Sequence, residues 1–104
     1  MPAVIELAQR FGTRGLRVMG VTQSGENDEE RSRVVEAARE DKMSWPTLLD
    51  PSGAWWSAAE VGVAPTFLVY GKDGRLVYRH TGKLVQGSEG FTALAAAIEQ
   101  ALGG

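Results

Sequence analysis

The chain has 104 residues, of which 43% are apolar and 23% charged, with a formal net charge of −2. These values describe one globular domain over residues 1–104 and give no electrostatic reason to expect nucleic acid or an anionic membrane surface. Cysteine is absent, which excludes disulfides, thiolate metal sites and thiol catalysis within these residues, and no apolar run approaches the ~20 residues of a membrane span.

In chain order, Val4, Leu7, Ala8 and Phe11 recur at helical spacing, so residues 2–11 read as a short amphipathic helix with Pro2 in its first turn. The loop GTRG leads into LRVMGVT (16–22), a nearly continuous apolar run of strand length, as expected of a strand covered on both faces. In the following SGENDEERSRVVEAAREDK, Asn27 and Glu30 have the spacing of a capping box, and the acids crowd the end that the helix dipole favours. Val34, Val35 and Ala38 are its expected inner face. Thr47 to Leu49 reads as a short extended piece closed by an Asp-Pro-Ser-Gly turn, and Ala54 to Val61 as one or two helical turns.

The second half is more regular. PTFLVY and RLVYRHT flank GKDG, whose Asp-Gly pair suits a tight hairpin that needs positive φ. Ser88 is placed to cap a last helix with Phe91, Leu94, Ala95, Ile98 and Leu102 on one face. The order αβα(β)αββα predicts an α/β domain mixing parallel and antiparallel strands.

One strand carries a proline at its mouth, in VAPTFLVY (63–70). Proline cannot donate a ladder hydrogen bond and is confined to strand starts and edges. It is either an ordinary trans proline at a strand start or part of a functional turn. An X–Pro bond favours trans by only ~0.5–1 kcal/mol, so such a turn can hold it cis.

Taken together, MPAVIELAQRF, LRVMGVT, WPTLLDPSG, VGVAPTFLVYGKDGRLVYRHTG and the closing helix resemble the TlpA/ResA-type thiol–disulfide oxidoreductases, which are close to the AhpC/TSA redoxins. The resemblance spans nearly the whole chain and implies a thioredoxin-like mixed sheet flanked by helices. It also implies that Pro65 is a cis proline facing the redox-active cysteines, with Ala64, Pro65 and Thr66 pairing against an extended substrate segment. Apart from the resemblance, Trp45 or Trp55 would join them as a partner-docking patch if it lies beside that loop.

The departure from the pattern is as informative. In that family a hydrophobic strand and a Trp-Cys-x-x-Cys-x-x-Glu run precede the Met-Pro pair, and here the pair is Met1-Pro2. The resemblance therefore implies a scaffold without its central strand and without its thiols. No catalytic residue carries over to any position, because exchange requires a thiolate attacking sulfur. A sheet lacking that strand would have three outcomes: its neighbours pair directly and antiparallel, a second copy supplies strands across a homodimer, or a gap stays open.

Other features have plain structural explanations. His80, the sole histidine, reads as a half-buried residue of the RLVYRHT strand, with no second metal ligand or partner base near it in sequence. Glu26, Asp28, Glu29 and Glu30 lack calcium-loop spacing and suit a helix N-terminus. GTRG leads into a strand, unlike the helix-joining loop of RNA-binding KH modules. No phosphate-binding glycine motif is present, and neither a cofactor nor a metal is expected. Of the adjacent Trp55 and Trp56, at least one should be partly exposed, since helical neighbours do not share a face. Trp45, Trp55 and Trp56 read as surface packing or a core lid, or alternatively as a docking patch.

Two functional expectations result. One is the C-terminal portion of a thiol–disulfide oxidoreductase whose full-length relatives are usually periplasmic or membrane-tethered and act on client proteins bearing cysteines, this chain itself being redox-inactive. The other is a redox-inert thioredoxin-like module that binds a protein or peptide.

Overall fold

A computed structural model describes residues 2–23, 27–40 and 45–103. It is a mixed α/β chain with four α-helices and two two-stranded sheets, and it divides into two units. One unit is Arg17–Gly62; the other combines Pro2–Leu16 with Val63–Gly104.

The second unit holds the core. Helix α1 (Pro2–Phe11) closes through a short 3₁₀ turn, Gly12–Arg14, onto Gly15 at φ 111°, where Leu16 N–H donates to the Phe11 carbonyl at 3.2 Å. A side chain at Gly15 would be strained in that left-handed geometry. Strands β3 (Thr66–Tyr70) and β4 (Leu76–Thr81) pair antiparallel, Thr66 opposite Thr81 and Val69 opposite Tyr78. The register then shifts so that Tyr70 faces Leu76, leaving Val77 as the extra residue of a bulge. The hairpin turns as expected at GKDG: Gly74 has φ 83°, and its N–H donates to the Gly71 carbonyl at 3.0 Å.

Helix α4 (Glu89–Gly103) is capped by Ser88, whose Oγ accepts from Phe91 N–H at 3.1 Å and donates to the Val85 carbonyl at 2.6 Å. Its expected face packs inward. Phe91, Leu94, Ala95 and Ile98 are buried with Ala3, Leu7, Phe11 and Val69, and Leu102 lies partly buried against them. Ala3, rather than Val4 or Ala8, completes the inner face of α1, because Ala3, Leu7 and Phe11 repeat every four residues along one stripe.

The first unit differs from expectation in three respects. The strand expected over 16–22 is reduced to β1 (Gly20–Thr22), which pairs in parallel with β2 (Thr47–Leu49) over three positions. It is not fully covered on both faces: its residues are half-buried, and the neighbouring Met19 is 59% exposed. A strand extends only as far as a partner supplies hydrogen bonds, whatever its apolarity. Helix α2 (Asp28–Glu40) begins at the expected cap, with Glu30 N–H on Asn27 Oδ1 at 2.9 Å; of its expected inner face Val34 and Ala38 are half-buried, but none of its residues is fully buried and Val35 is 57% exposed. Each ladder is formed within one unit.

The Asp-Pro-Ser-Gly turn forms, with Gly53 N–H on the Asp50 carbonyl at 2.9 Å. It leads into α3 (Ala54–Ala58), which closes on Glu60 at φ 58° with Val61 N–H reaching the Trp56 carbonyl at 2.8 Å.

Candidate functional site

The proline segment occupies the head of β3. The Ala64–Pro65 peptide bond is cis, Thr66 Oγ1 donates to the Val63 carbonyl at 2.7 Å, and Gly82 N–H donates to the Pro65 carbonyl at 2.9 Å. Val63 and Ala64 are exposed, while Pro65 and Thr66 are half-buried. The segment is therefore held at both ends by hydrogen bonds within its own unit, with an open surface before the strand.

The bond from Gly82 to Pro65 sets the alternation along β3. Residues 65, 67 and 69 direct their backbone groups toward β4, so the N–H and C=O groups of Thr66, Leu68 and Tyr70 point to the opposite edge. Among the described residues β3 has no ladder partner on that edge. No charged residue interrupts TFLVY, although charge is a common protection of open edges. The sequence singled out Ala64, Pro65 and Thr66 in this strand, and not Leu68 and Tyr70. The signal available was the period of two along a strand that opens on proline.

Trp45 lies in the first unit, half-buried, just before Pro46, whose carbonyl accepts from Gly20 N–H at 2.9 Å. Its own unit thus holds it at the β1–β2 ladder, while Ala64, Pro65 and Thr66 belong to the other unit. Trp55 is 40% exposed and Trp56 half-buried, in keeping with neighbours that do not share a face. Both are anchored through Asp50, whose two carboxylate oxygens accept their backbone N–H groups at 3.2 and 3.0 Å.

His80 is half-buried in β4, as expected. Its Nε2 lies 3.0 Å from the Lys83 carbonyl, and its ring centroid lies 6.0 Å from that of Phe67. A carbonyl only accepts, so Nε2 carries the proton in this bond. No cluster of three potential metal ligands occurs among the described residues; of the acidic group considered above, Glu26 lies outside them.

Arg14 and Glu99 form an ion pair, 2.8 Å between Nη1 and Oε2. The hydrogen bond to Glu99 and its charge raise the Arg14 pKa, and the hydrogen bond from Arg14 lowers that of Glu99. Both groups are substantially exposed, and the Arg10 and Arg14 guanidinium carbons lie 5.0 and 5.6 Å from the Phe11 ring centroid. This arrangement buttresses α1 against α4 and contains no nucleophile. A shallow hollow of about 180 Å³, lined by Val77, Ala97, Gln100 and Ala101, offers no titratable group.

No family model matches the chain, and a search of curated proteins finds no match. No helix among the described residues is long and apolar enough to cross a membrane.

Proposed function

We propose that the chain is a thioredoxin-like scaffold, the C-terminal portion of a thiol–disulfide oxidoreductase of TlpA/ResA type, with Ala64, Pro65 and Thr66 as the surface that receives an extended client segment. The observation that carries this reading is the proline-headed β3 strand. Its outer backbone groups at Thr66, Leu68 and Tyr70 lack a ladder partner among the described residues, while its inner side is seated on the α1–α4 core. An open row of alternating donors and acceptors fits an extended backbone and is insensitive to side-chain identity. The element order helix–strand–helix–strand–helix–hairpin–helix supports the same reading.

These 104 residues contain no sulfur nucleophile, so the chain does not itself exchange disulfides. The thiols would come from residues preceding Met1 in a longer product. Translating the coding DNA upstream of Met1 in frame tests this. A Cys-x-x-Cys run close before Met1, itself preceded by an apolar strand, is expected. A ribosome-binding site immediately before Met1, with no such run in frame, would overturn it. The 104-residue chain is expected to give no insulin reduction above a no-protein control.

The absence of cysteine favours a second reading, a redox-inert module that holds a peptide by the same β3 edge. Titrating an extended, uncharged, cysteine-free peptide into the ¹⁵N-labelled chain tests the β3 edge on which this module depends. Amide shifts concentrated at residues 64–70 support the module, and unchanged spectra at millimolar peptide exclude it. A homodimer through the same edge is the third consequence, and its test is given in the Discussion.

A further inference from the structure

We propose that His80 is a positioning residue for the proline segment, its imidazole closing the turn that holds the Gly82 N–H on the Pro65 carbonyl. The role of that segment rests on the function proposed above. All the groups involved lie within the second unit.

The Pro65 carbonyl accepts from Gly82 N–H at 2.9 Å just past the end of the β3–β4 ladder, where Thr66 pairs with Thr81. Gly82 has φ 97°, and a Cβ built on it would meet nothing within 4 Å. Glycine is thus required there by backbone conformation and not by crowding, and no residue loses more freedom on being fixed. A donor on such a residue stays on its acceptor only if the chain on either side is held.

His80 supplies that hold. The 3.0 Å bond from its Nε2 to the Lys83 carbonyl spans Thr81 and Gly82 and closes them into a short ring. Both ends of the ring are anchored. His80 pairs with Phe67 across the ladder, the two ring centroids 6.0 Å apart, and it lies so close over Gly90 that a Cβ there would stand 2.7 Å from Cε1. Beyond Lys83, Leu84 packs against the core, and Gln86 Nε2 donates to Glu6 Oε1 on α1 at 2.7 Å. A fixed donor therefore meets a fixed acceptor across the one turn that feeds the Gly82 N–H to Pro65.

Two variants of the full, isotope-labelled chain test this. His80→Leu keeps an apolar side chain of similar size and removes the donor; His80→Gln returns an N–H donor on a flexible side chain. The scalar coupling across the Gly82–Pro65 hydrogen bond is a signature of the native state whatever its stability. It should be present in the wild-type chain, weaken in His80→Leu and recover in His80→Gln. Exchange of the Gly82 amide should be about three- to tenfold faster in His80→Leu, the scale of one hydrogen bond. Absence of the coupling from the wild-type chain, an unchanged coupling in His80→Leu, or no recovery with Gln would overturn the proposal. Titration of the extended, uncharged peptide into the three proteins tests the link to the site. Affinity should fall at least about threefold in His80→Leu and return in His80→Gln. An unchanged affinity beside a weakened coupling would refute the positioning role. If the wild-type chain binds no peptide, the functional reading fails, and the coupling alone decides whether His80 holds the turn.

Discussion

His80 and Gly90 are in direct apposition: a Cβ built on Gly90 would stand 2.7 Å from His80 Cε1 and 3.3 Å from Nδ1. The imidazole is not free to swing away, since Nε2 bonds the Lys83 carbonyl and Phe67 lies against the ring. Glycine in the first turn of α4 is therefore a packing requirement of the hairpin–helix contact.

Gly90→Ala is accordingly expected to destabilise the chain by about 1–3 kcal/mol through overpacking, although alanine is the better helix former by up to about 1 kcal/mol. In a His80→Ala background the same change should become neutral or stabilising. Denaturant melts of the four proteins of this cycle measure the coupling. Equal effects of Gly90→Ala in both backgrounds would show that the contact does not restrict position 90.

Leu94 is 2% exposed at the centre of the second unit's core. Leu94→Ala should cost about 2–5 kcal/mol from lost transfer energy and the cavity left behind. Val35→Ala, at an exposed position of α2, should stay within about 0.5 kcal/mol. Comparable losses at both positions would mean that the first unit also contributes a core.

Ser88 works in two directions, accepting from Phe91 N–H and donating to the Val85 carbonyl. Ser88→Ala is expected to lose about 1 kcal/mol of stability, and Ser88→Asn, which keeps both an acceptor and a donor, should recover most of it. If all three proteins melt at the same temperature, the cap contributes nothing.

The Arg14–Glu99 pair predicts an acid-limb effect. The folded-state pKa of Glu99 is depressed, first by the hydrogen bond from Arg14. Its contribution is thus present above the unfolded-state carboxylate pKa and is lost as pH falls through the folded value. Arg14, whose pKa is raised, stays charged across this window. Glu99→Gln should lower Tm slightly at neutral pH, by an amount that shrinks in acid and in high salt. A difference that persists below the carboxylate range would rule the pair out as its cause.

The homodimer proposed through the β3 edge would place Leu68 opposite Leu68 of a second copy, with Thr66 opposite Tyr70, an isologous antiparallel arrangement. Light scattering over a concentration series should show self-association, and Leu68→Lys, which puts a charge on the edge, should abolish it. A monomer mass retained at millimolar concentration excludes the dimer.

Local chemistry was legible without coordinates wherever the deciding groups are close in sequence. Asn27 and Glu30, Ser88 and Phe91, and the Asp73-Gly74 turn each satisfy backbone groups a few residues away, so residue type and spacing suffice. The α1 span and the α4 inner face were legible for a related reason, since helical periodicity needs no partner to be visible. Only the tertiary structure decided how far LRVMGVT extends as a strand, which residues of α2 are covered, where Val77 interrupts the hairpin register, and that Leu68 and Tyr70 present an edge without a ladder partner among the described residues. Strand length and burial depend on which surfaces distant segments bring up, and an apolar run reads the same whether or not they arrive.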